Sequence, residues 1–218
     1  MSDTDSFIEE VTEEVRRDRL FATMRKYGWI AILAVVLIVG GAAWREYSKA
    51  QTEARAQAFG DSILSALEGE DEAARIDALN AIEAPSSDGN AILQLLIAAE
   101  EGSAGRDGDS VARLKAVSDN AEVPQIYRQI ASFKALTRTD GGLSADERRA
   151  GLEALAIPGQ PLRVLAEEQL ALLDIETGNA EAALERLIQL SQDSEATAGL
   201  RRRASQLIVA LGGEPQSG

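Results

Sequence analysis

An apolar run from Tyr27 to Trp44 is the feature that most constrains the fold of this chain, because it contains no charged residue. As an α-helix its 18 residues measure about 27 Å, which matches the hydrocarbon thickness of a bilayer. Trp29 lies near its start and Tyr47 just beyond its end, where amphipathic rings favour the headgroup region. The run therefore predicts one membrane-spanning helix near the N-terminus.

The charges that flank this run predict its orientation. Five basic residues precede it, at positions 16, 17, 19, 25 and 26, whereas only Arg45 and Lys49 follow it closely. Basic residues favour the cytoplasmic side of a membrane. We therefore expect a bacterial inner-membrane protein with one span, a cytoplasmic N-terminus and a periplasmic C-terminal domain.

Two other interpretations of the run remain open. Gly41-Ala42-Ala43 has the small residues of a signal-peptide cleavage site, although 26 residues with seven acids precede the run, which is unusual for a signal peptide. A buried core helix is the other alternative, although a helix that is apolar all round is unusual in a domain of this size.

The composition of residues 45–218 excludes several functions. This part carries 29 acidic and 17 basic residues, a net charge of −12, so it would repel a phosphate backbone and is not expected to bind nucleic acid. The whole chain has no Cys and no His, which removes thiol nucleophiles, Ser-His-Asp triads and the usual zinc ligands. The acids near positions 100 and 108 form no loop of calcium-binding type. We expect no catalytic residue, no metal, no cofactor and no small-molecule substrate.

The pattern of apolar residues divides the chain into five parts. They are a cytoplasmic segment at 1–26, the transmembrane helix at 27–44, a helical stalk at 45–70, a helical repeat domain at 71–212 and a flexible tail at 213–218. A weak amphipathic stripe in residues 5–26 predicts a helix there, with a flexible tail as the alternative.

Helical periodicity continues through the repeat domain, and no alternating strand pattern interrupts it. Ser144 and Glu147 have the form of a capping box, Gly178 is placed to end a helix in the left-handed conformation, and Asn179 is placed to cap the next one. The predicted helical segments are 71–83, 90–101, 109–120, 123–138, 145–156, 161–177, 179–193 and 196–211.

The segment from Leu165 to Leu187 resembles a tetratricopeptide repeat. Its expected packing residues are Leu170, Ala171, Gly178, Ala183 and Leu187, a pattern in which small residues let two helices approach and large residues fill the space beside them. Glu167 and Asp174 depart from the repeat, since those positions are usually apolar or aromatic. The expected fold is all-α: a single N-terminal transmembrane helix followed by a tetratricopeptide-like helical-hairpin solenoid, with a generic helical bundle as the alternative.

Two groups of residues are candidates for partner binding. The first helix of such a hairpin lines the concave groove, which would place Leu165, Glu168, Leu172, Ile175 and Glu176 there, unless they pack on the preceding helix at 145–156. Arg201, Arg202 and Arg203 form the densest basic cluster, either for an acidic partner or as a solvated face beside Asp193 and Glu195.

The anchor and the repeat together resemble the YfgM-like ancillary subunit of the SecYEG translocon. The similarity lies in Tyr127–Leu136, Pro161–Ala171, Gly178–Leu190 and Gly199–Ala204. The resemblance implies a protein that binds translocon subunits, a membrane-anchored periplasmic chaperone and newly exported chains. A structural coordinator of an envelope or cell-division complex is the alternative function, and a Lys- or carboxylate-dependent hydrolase is the enzymatic one.

Overall fold

The described part of the chain is entirely helical. The computed structural model describes the backbone from Asp3 to Glu214, and the side chains from Met24 to Glu214 except that of Ala31. No strand occurs within these limits. The helices are α1 (Asp3–Leu67), α2 (Glu72–Asn80), α3 (Ser87–Ser103), α4 (Asp107–Asp119), α5 (Gln125–Leu136), α6 (Ala145–Leu155), α7 (Arg163–Glu176), α8 (Ala180–Gln192) and α9 (Ala198–Ala210).

Helix α1 carries the apolar run. From Met24 onward it is long and apolar enough to cross a membrane, with a mean hydropathy of 2.0 over its most apolar 18 residues. None of that stretch is buried against another part of the chain. The amphipathic stripe predicted for residues 5–26 falls mostly on side chains outside the described set, as does most of the predicted tail at 213–218.

The chain divides into two compact units, residues 1–57 and residues 58–218. The second unit begins before the predicted boundary at residue 71, because the end of α1 belongs to its core. Phe59, Ile63 and Ala66 pack there with Ile76 and Leu79 of α2. The predicted stalk therefore ends in packed structure.

Each helix of the second unit packs chiefly on its neighbours in sequence, and α3 also contacts α5. Local sequence signals account for several of the helix ends. Ser144 and Glu147 form the predicted capping box, and Gly178 has the predicted left-handed conformation with φ of +81°. Asn179 precedes α8 but its side chain makes no capping hydrogen bond, contrary to expectation; its side-chain amide donates to the Thr177 hydroxyl.

Helices α2 to α5 and helices α6 to α9 are two copies of one arrangement, related by a shift of 73 positions. We call residues 71–136 the first copy and residues 144–209 the second copy. Helix α4 maps residue for residue onto α8, and the left-handed Gly105 maps onto Gly178. Only 13 of the 66 aligned residues are identical, so the repeat is far clearer in three dimensions than in sequence.

The same positions build the same cores in both copies. Six pairs of equivalent residues are buried in the cluster that joins the last three helices of each copy. They are Ala98 and Ala171, Leu114 and Leu187, Val117 and Leu190, Val123 and Ala196, Ala131 and Ala204, and Ala135 and Ile208. Three of the pairs are identical residues, and the other three differ in volume but are buried in both copies.

A buried carboxylate is also repeated. Glu101 of α3 is 1% exposed and is bound by Arg113 of α4 at 2.7 and 3.0 Å. The equivalent Asp174 is 2% exposed and lies 3.4 Å from Nε of Arg186, the residue equivalent to Arg113. The unusual Asp174 and Glu167 of the sequence are thus explained, because Arg186 of the paired helix binds both carboxylates and Arg149 of α6 binds Asp174 at 2.7 Å.

Gly178 provides a test of the repeat. The nitrogen of the following residue donates to the Asp174 carbonyl at 2.7 Å, and the equivalent bond after Gly105 is 2.8 Å. Because an L-residue pays about 1–2 kcal/mol in the left-handed region, Gly178→Ala and Gly105→Ala should each lower the free energy of unfolding by that amount. Urea unfolding followed by circular dichroism would measure it.

Gly199→Ala is the matched control for this pair. Gly199 lies at the start of α9 with an ordinary backbone angle, and an added Cβ would meet no atom closer than 3.9 Å. Stability should stay constant or rise slightly, because alanine favours the helix. Equal losses for all three variants would show that the backbone angle is not what these glycines provide.

Candidate functional site

The predicted groove residues on α7 fall into two classes, of which the apolar class is accessible. Leu172 is 37% exposed, and Leu165 and Ile175 are half-buried. The contacts that α7 makes with α6 use other residues, among them Ala166, Leu170 and Leu173. We call Leu165, Leu172 and Ile175 the α7 apolar face; it is available to a partner.

The two predicted groove carboxylates are engaged within the chain. Both oxygens of Glu168 accept hydrogen bonds from Arg203 of α9, at 2.7 and 2.8 Å. Glu176 accepts from Nη1 of Arg148 on α6, at 2.9 and 3.0 Å. Hydrogen bonding to Glu168 raises the pKa of Arg203. Glu168, which is 7% exposed, therefore joins two helices instead of lining an open groove.

The predicted arginine cluster on α9 does not act as one surface. Arg203 holds Glu168, and Arg201 donates to the Ala196 carbonyl. Arg202 is exposed and forms no ion pair among the described residues. Asp193 and Glu195, the acids that the sequence places beside this cluster, pair with Arg163 of α7. Arg202 alone remains for an acidic partner.

The predicted packing residues of α7 and α8 are buried, Ala171 and Leu187 in the core cluster shared with α9 and Leu170 in the cluster shared with α6. Ala171 and Ala183 are fully buried, which allows the two backbones to approach closely. Leu170 and Leu187 are also buried, at 1% and 0% exposure. Gly178 forms the turn between the helices. These five residues build the scaffold that presents the α7 apolar face.

Four acidic residues of α3 and α4 pair with arginines. Glu100 pairs with Arg75 at 2.7 Å, and Asp107 pairs with Arg138 at 2.7 Å. Glu101 and Asp109 have arginine partners too. Within the described residues there is no group of three or more acidic side chains arranged to hold a metal ion.

Arg163 links the start of α7 to the loop between α8 and α9. Its Nη2 lies 2.7 Å from both Asp193 and Glu195, and its Nε donates to Glu195 at 2.9 Å. The hydrogen bond to Asp193, followed by that to Glu195, raises the pKa of Arg163. Arg163 in turn lowers the pKa of Asp193 below its usual value. The ion pair thus holds two loops of the second copy together.

An open acidic cleft lies at the equivalent place in the first copy, and the sequence did not point to it. Its volume is about 450 Å³. The sequence signal was present, because Glu122 and Glu195 are identical at the 73-residue shift, but a single pair is too weak to be noticed. The cleft is lined by Ile82, Glu83, Ala84, Ser86, Ser87, Asn90, Asn120, Glu122 and Val123.

Three surfaces of the second unit are therefore open to a partner: the α7 apolar face, Arg202 and the acidic cleft. Each contains groups suited to binding, and the chain has no thiol or imidazole to perform acid–base or nucleophilic chemistry at them. Comparison with protein-family models, with curated proteins and with solved structures finds no match for this chain.

Proposed function

We propose that this chain is a non-catalytic, membrane-anchored adaptor that binds protein partners through its helical unit. The observation that carries the proposal is the complete exposure of the apolar part of α1. Val35, Val36 and Ile38 are each more than half exposed, on a helix with no burial along its apolar stretch. Such a surface is unstable in water and stable in hydrocarbon, so a bilayer is the environment that fits it.

The proposed location is the inner membrane of a bacterium, with the helical unit in the periplasm. The support is the excess of basic residues before the apolar run, which favours a cytoplasmic N-terminus. The chain has no Cys, so its stability in an oxidising compartment would not depend on disulfides. The buried cores and arginine bridges of the second unit supply its stability instead.

The helical unit is suited to protein binding. Two copies of a helix array with sequential packing support a tetratricopeptide-like solenoid, an architecture whose extended face binds polypeptides. The α7 apolar face provides three accessible aliphatic side chains on a scaffold fixed by ion pairs. An unfolded apolar segment or an amphipathic helix would bury these side chains.

The proposed partners are the SecYEG translocon, a membrane-anchored periplasmic chaperone and newly exported chains. This step rests on the resemblance to the YfgM-like ancillary subunit. An anchor confines the helical unit to the membrane surface, where a weak contact is strengthened by high local concentration. A modest apolar face would then suffice for a transient adaptor.

Photocrosslinking in native membranes tests the proposal. A photoreactive residue at position 172, in the α7 apolar face, should capture translocon subunits, the chaperone or exported chains. The same residue at position 185, an exposed place on α8, is the control and should capture far less. Capture of division or cell-wall proteins from position 172, with no translocon component or exported chain, would favour the structural coordinator and overturn the translocon assignment.

A further inference from the structure

The two copies differ at the space between the third-last helix and the loop that joins the last two helices, which an arginine occupies in the second copy only. In the second copy, Arg163 occupies the space between the start of α7 and the α8–α9 loop and binds Asp193 and Glu195. A small cavity of about 60 Å³ lies on the α8 side of Arg163, beside Arg186 and Gln189. In the first copy the residue equivalent to Arg163 is Asn90, whose side chain is shorter and uncharged.

The loop that receives Arg163 is nevertheless the same in both copies. In the second copy the Glu195 nitrogen donates to Asp193 Oδ1 at 2.8 Å, and in the first the Glu122 nitrogen donates to Asn120 Oδ1 at 2.9 Å. The next residue donates to the loop carbonyl at 3.2 Å and at 3.1 Å respectively. The first copy therefore keeps the turn and its glutamate, with the neutral Asn120 in place of Asp193 and without the arginine that fills the second copy.

The vacant position is the acidic cleft. Glu122 is exposed there and has no ion-pair or side-chain hydrogen-bond partner in the described part of the chain. Glu83 also lines the cleft, while no basic side chain does. A volume of about 450 Å³ falls within the range of ligand sites and exceeds the need of a single side chain.

We propose that the acidic cleft binds an arginine side chain of a partner polypeptide, with the guanidinium on the Glu122 carboxylate as Arg163 lies on Glu195. Arginine fits better than lysine because its planar fork donates two parallel hydrogen bonds to a carboxylate. Flanking residues of the partner segment occupy the remaining volume, beside Ile82 and Val123.

The inference deepens the adaptor function and rests on it for the existence of a protein partner. It concerns a different surface from the α7 apolar face. A chain could therefore have both sites, one for apolar segments and one for a basic residue. Crosslinking from position 172 and binding at the acidic cleft can succeed or fail independently.

The test uses the full chain in detergent micelles and the peptide acetyl-Ala-Ala-Arg-Ala-Ala-amide, with lysine and citrulline versions for comparison. Backbone amide NMR shifts should move at Asn120, Glu122 and Val123 with the arginine peptide. They should move less with lysine and not at all with citrulline. Glu122→Gln should weaken binding at least about tenfold, the cost of losing hydrogen bonds to a charged group.

Comparison with the second copy suggests one variant that should block peptide binding and one that serves as a control. Asn90→Arg recreates the residue equivalent to Arg163 and should abolish peptide binding by filling the cleft from within. Glu195→Gln removes the equivalent carboxylate of the second copy and should leave peptide binding unchanged. Both positions lie near the surface, so retention of the circular dichroism spectrum would confirm that the variants fold.

Four results would overturn the proposal. They are no shifts with the arginine peptide, equal shifts in Glu122→Gln, equal affinity for lysine and arginine, or shifts at these amides with calcium chloride but not with the peptide. The last would make the acidic cleft a cation site. None of these results bears on whether position 172 contacts the translocon.

Discussion

Arg113→Ala is expected to lower the free energy of unfolding by about 3–5 kcal/mol, the cost of leaving a buried charge without its partner. Glu101 is 1% exposed, and Arg113 makes both of its close hydrogen bonds. The remaining cation, Arg106, stands 3.9 Å away and is half exposed. The variant therefore strands a carboxylate between α3 and α4. Urea unfolding of the full chain in detergent micelles would measure the loss.

The equivalent change in the second copy should cost less. Arg186→Ala leaves Asp174 with Arg149, whose Nη2 is 2.7 Å from Oδ1. Because one charged hydrogen bond remains, we expect a loss of about 1–3 kcal/mol. The two arginines occupy equivalent positions, and Arg186→Ala also releases Glu167, a more exposed carboxylate that Arg186 binds.

Two further variants decide whether the stranded charge is the cause. Adding Glu101→Leu to Arg113→Ala should recover more than half of the loss, since an apolar side chain fits a buried site that has lost its counter-ion. Arg106→Ala should cost less than about 1 kcal/mol, as an exposed ion pair does. If Arg113→Ala matched Arg106→Ala, or if the leucine gave no recovery, the ion pair would not be what stabilises this hairpin.

Placing arginine at both Val35 and Val36 is expected to move the protein out of the membrane fraction. These residues lie at the centre of the apolar run and are each 59% exposed. One arginine at the centre of a spanning helix costs about 2.5–3.5 kcal/mol, so the pair costs about 5–7 kcal/mol. That corresponds to a loss of more than about a thousandfold in membrane partition. Carbonate extraction followed by flotation would measure it.

The control replaces the same two valines with leucine, which keeps the segment apolar and should leave the protein in the membrane. Detection through both an N-terminal and a C-terminal tag distinguishes an anchor from a signal peptide, because cleavage after Ala43 would separate the two tags. Retention of the arginine variant in carbonate-washed membranes would show that α1 is not what holds the chain there.

The sequence predicted those features of the fold that depend on nearby residues. The capping box at Ser144 needs only a glutamate three residues later, and Gly178 needs only a left-handed angle at the end of α7. The apolar run of α1 likewise carries its own signal. Each predicted helical segment after residue 70 corresponds to one helix, with ends shifted by a few residues.

Pairing between distant residues could not be predicted in the same way. Helical periodicity places Glu168 and Leu172 near one another on α7, but it does not show that Arg203, 35 residues away, binds the first and leaves the second accessible. Whether Arg203 reaches Glu168 depends on how closely α9 packs against α7. The first copy resembles the repeat weakly in sequence for a related reason, because Ser110 stands where the second copy has Ala183 and the equivalence is clear only in the tertiary packing.

The 73-residue shift also makes α5 and α9 equivalent helices, which differ in what packs against them. Leu136 of α5 is 8% exposed, because α6 and α7 cover it, whereas its equivalent in α9, Val209, is 57% exposed. The exposed side of α9 thus corresponds to the side of α5 that packs against α6 and α7. One more unit like α6 to α9, packed on this side of α9, would cover Val209 as α6 and α7 cover Leu136. This architecture can therefore lengthen without a new type of interface.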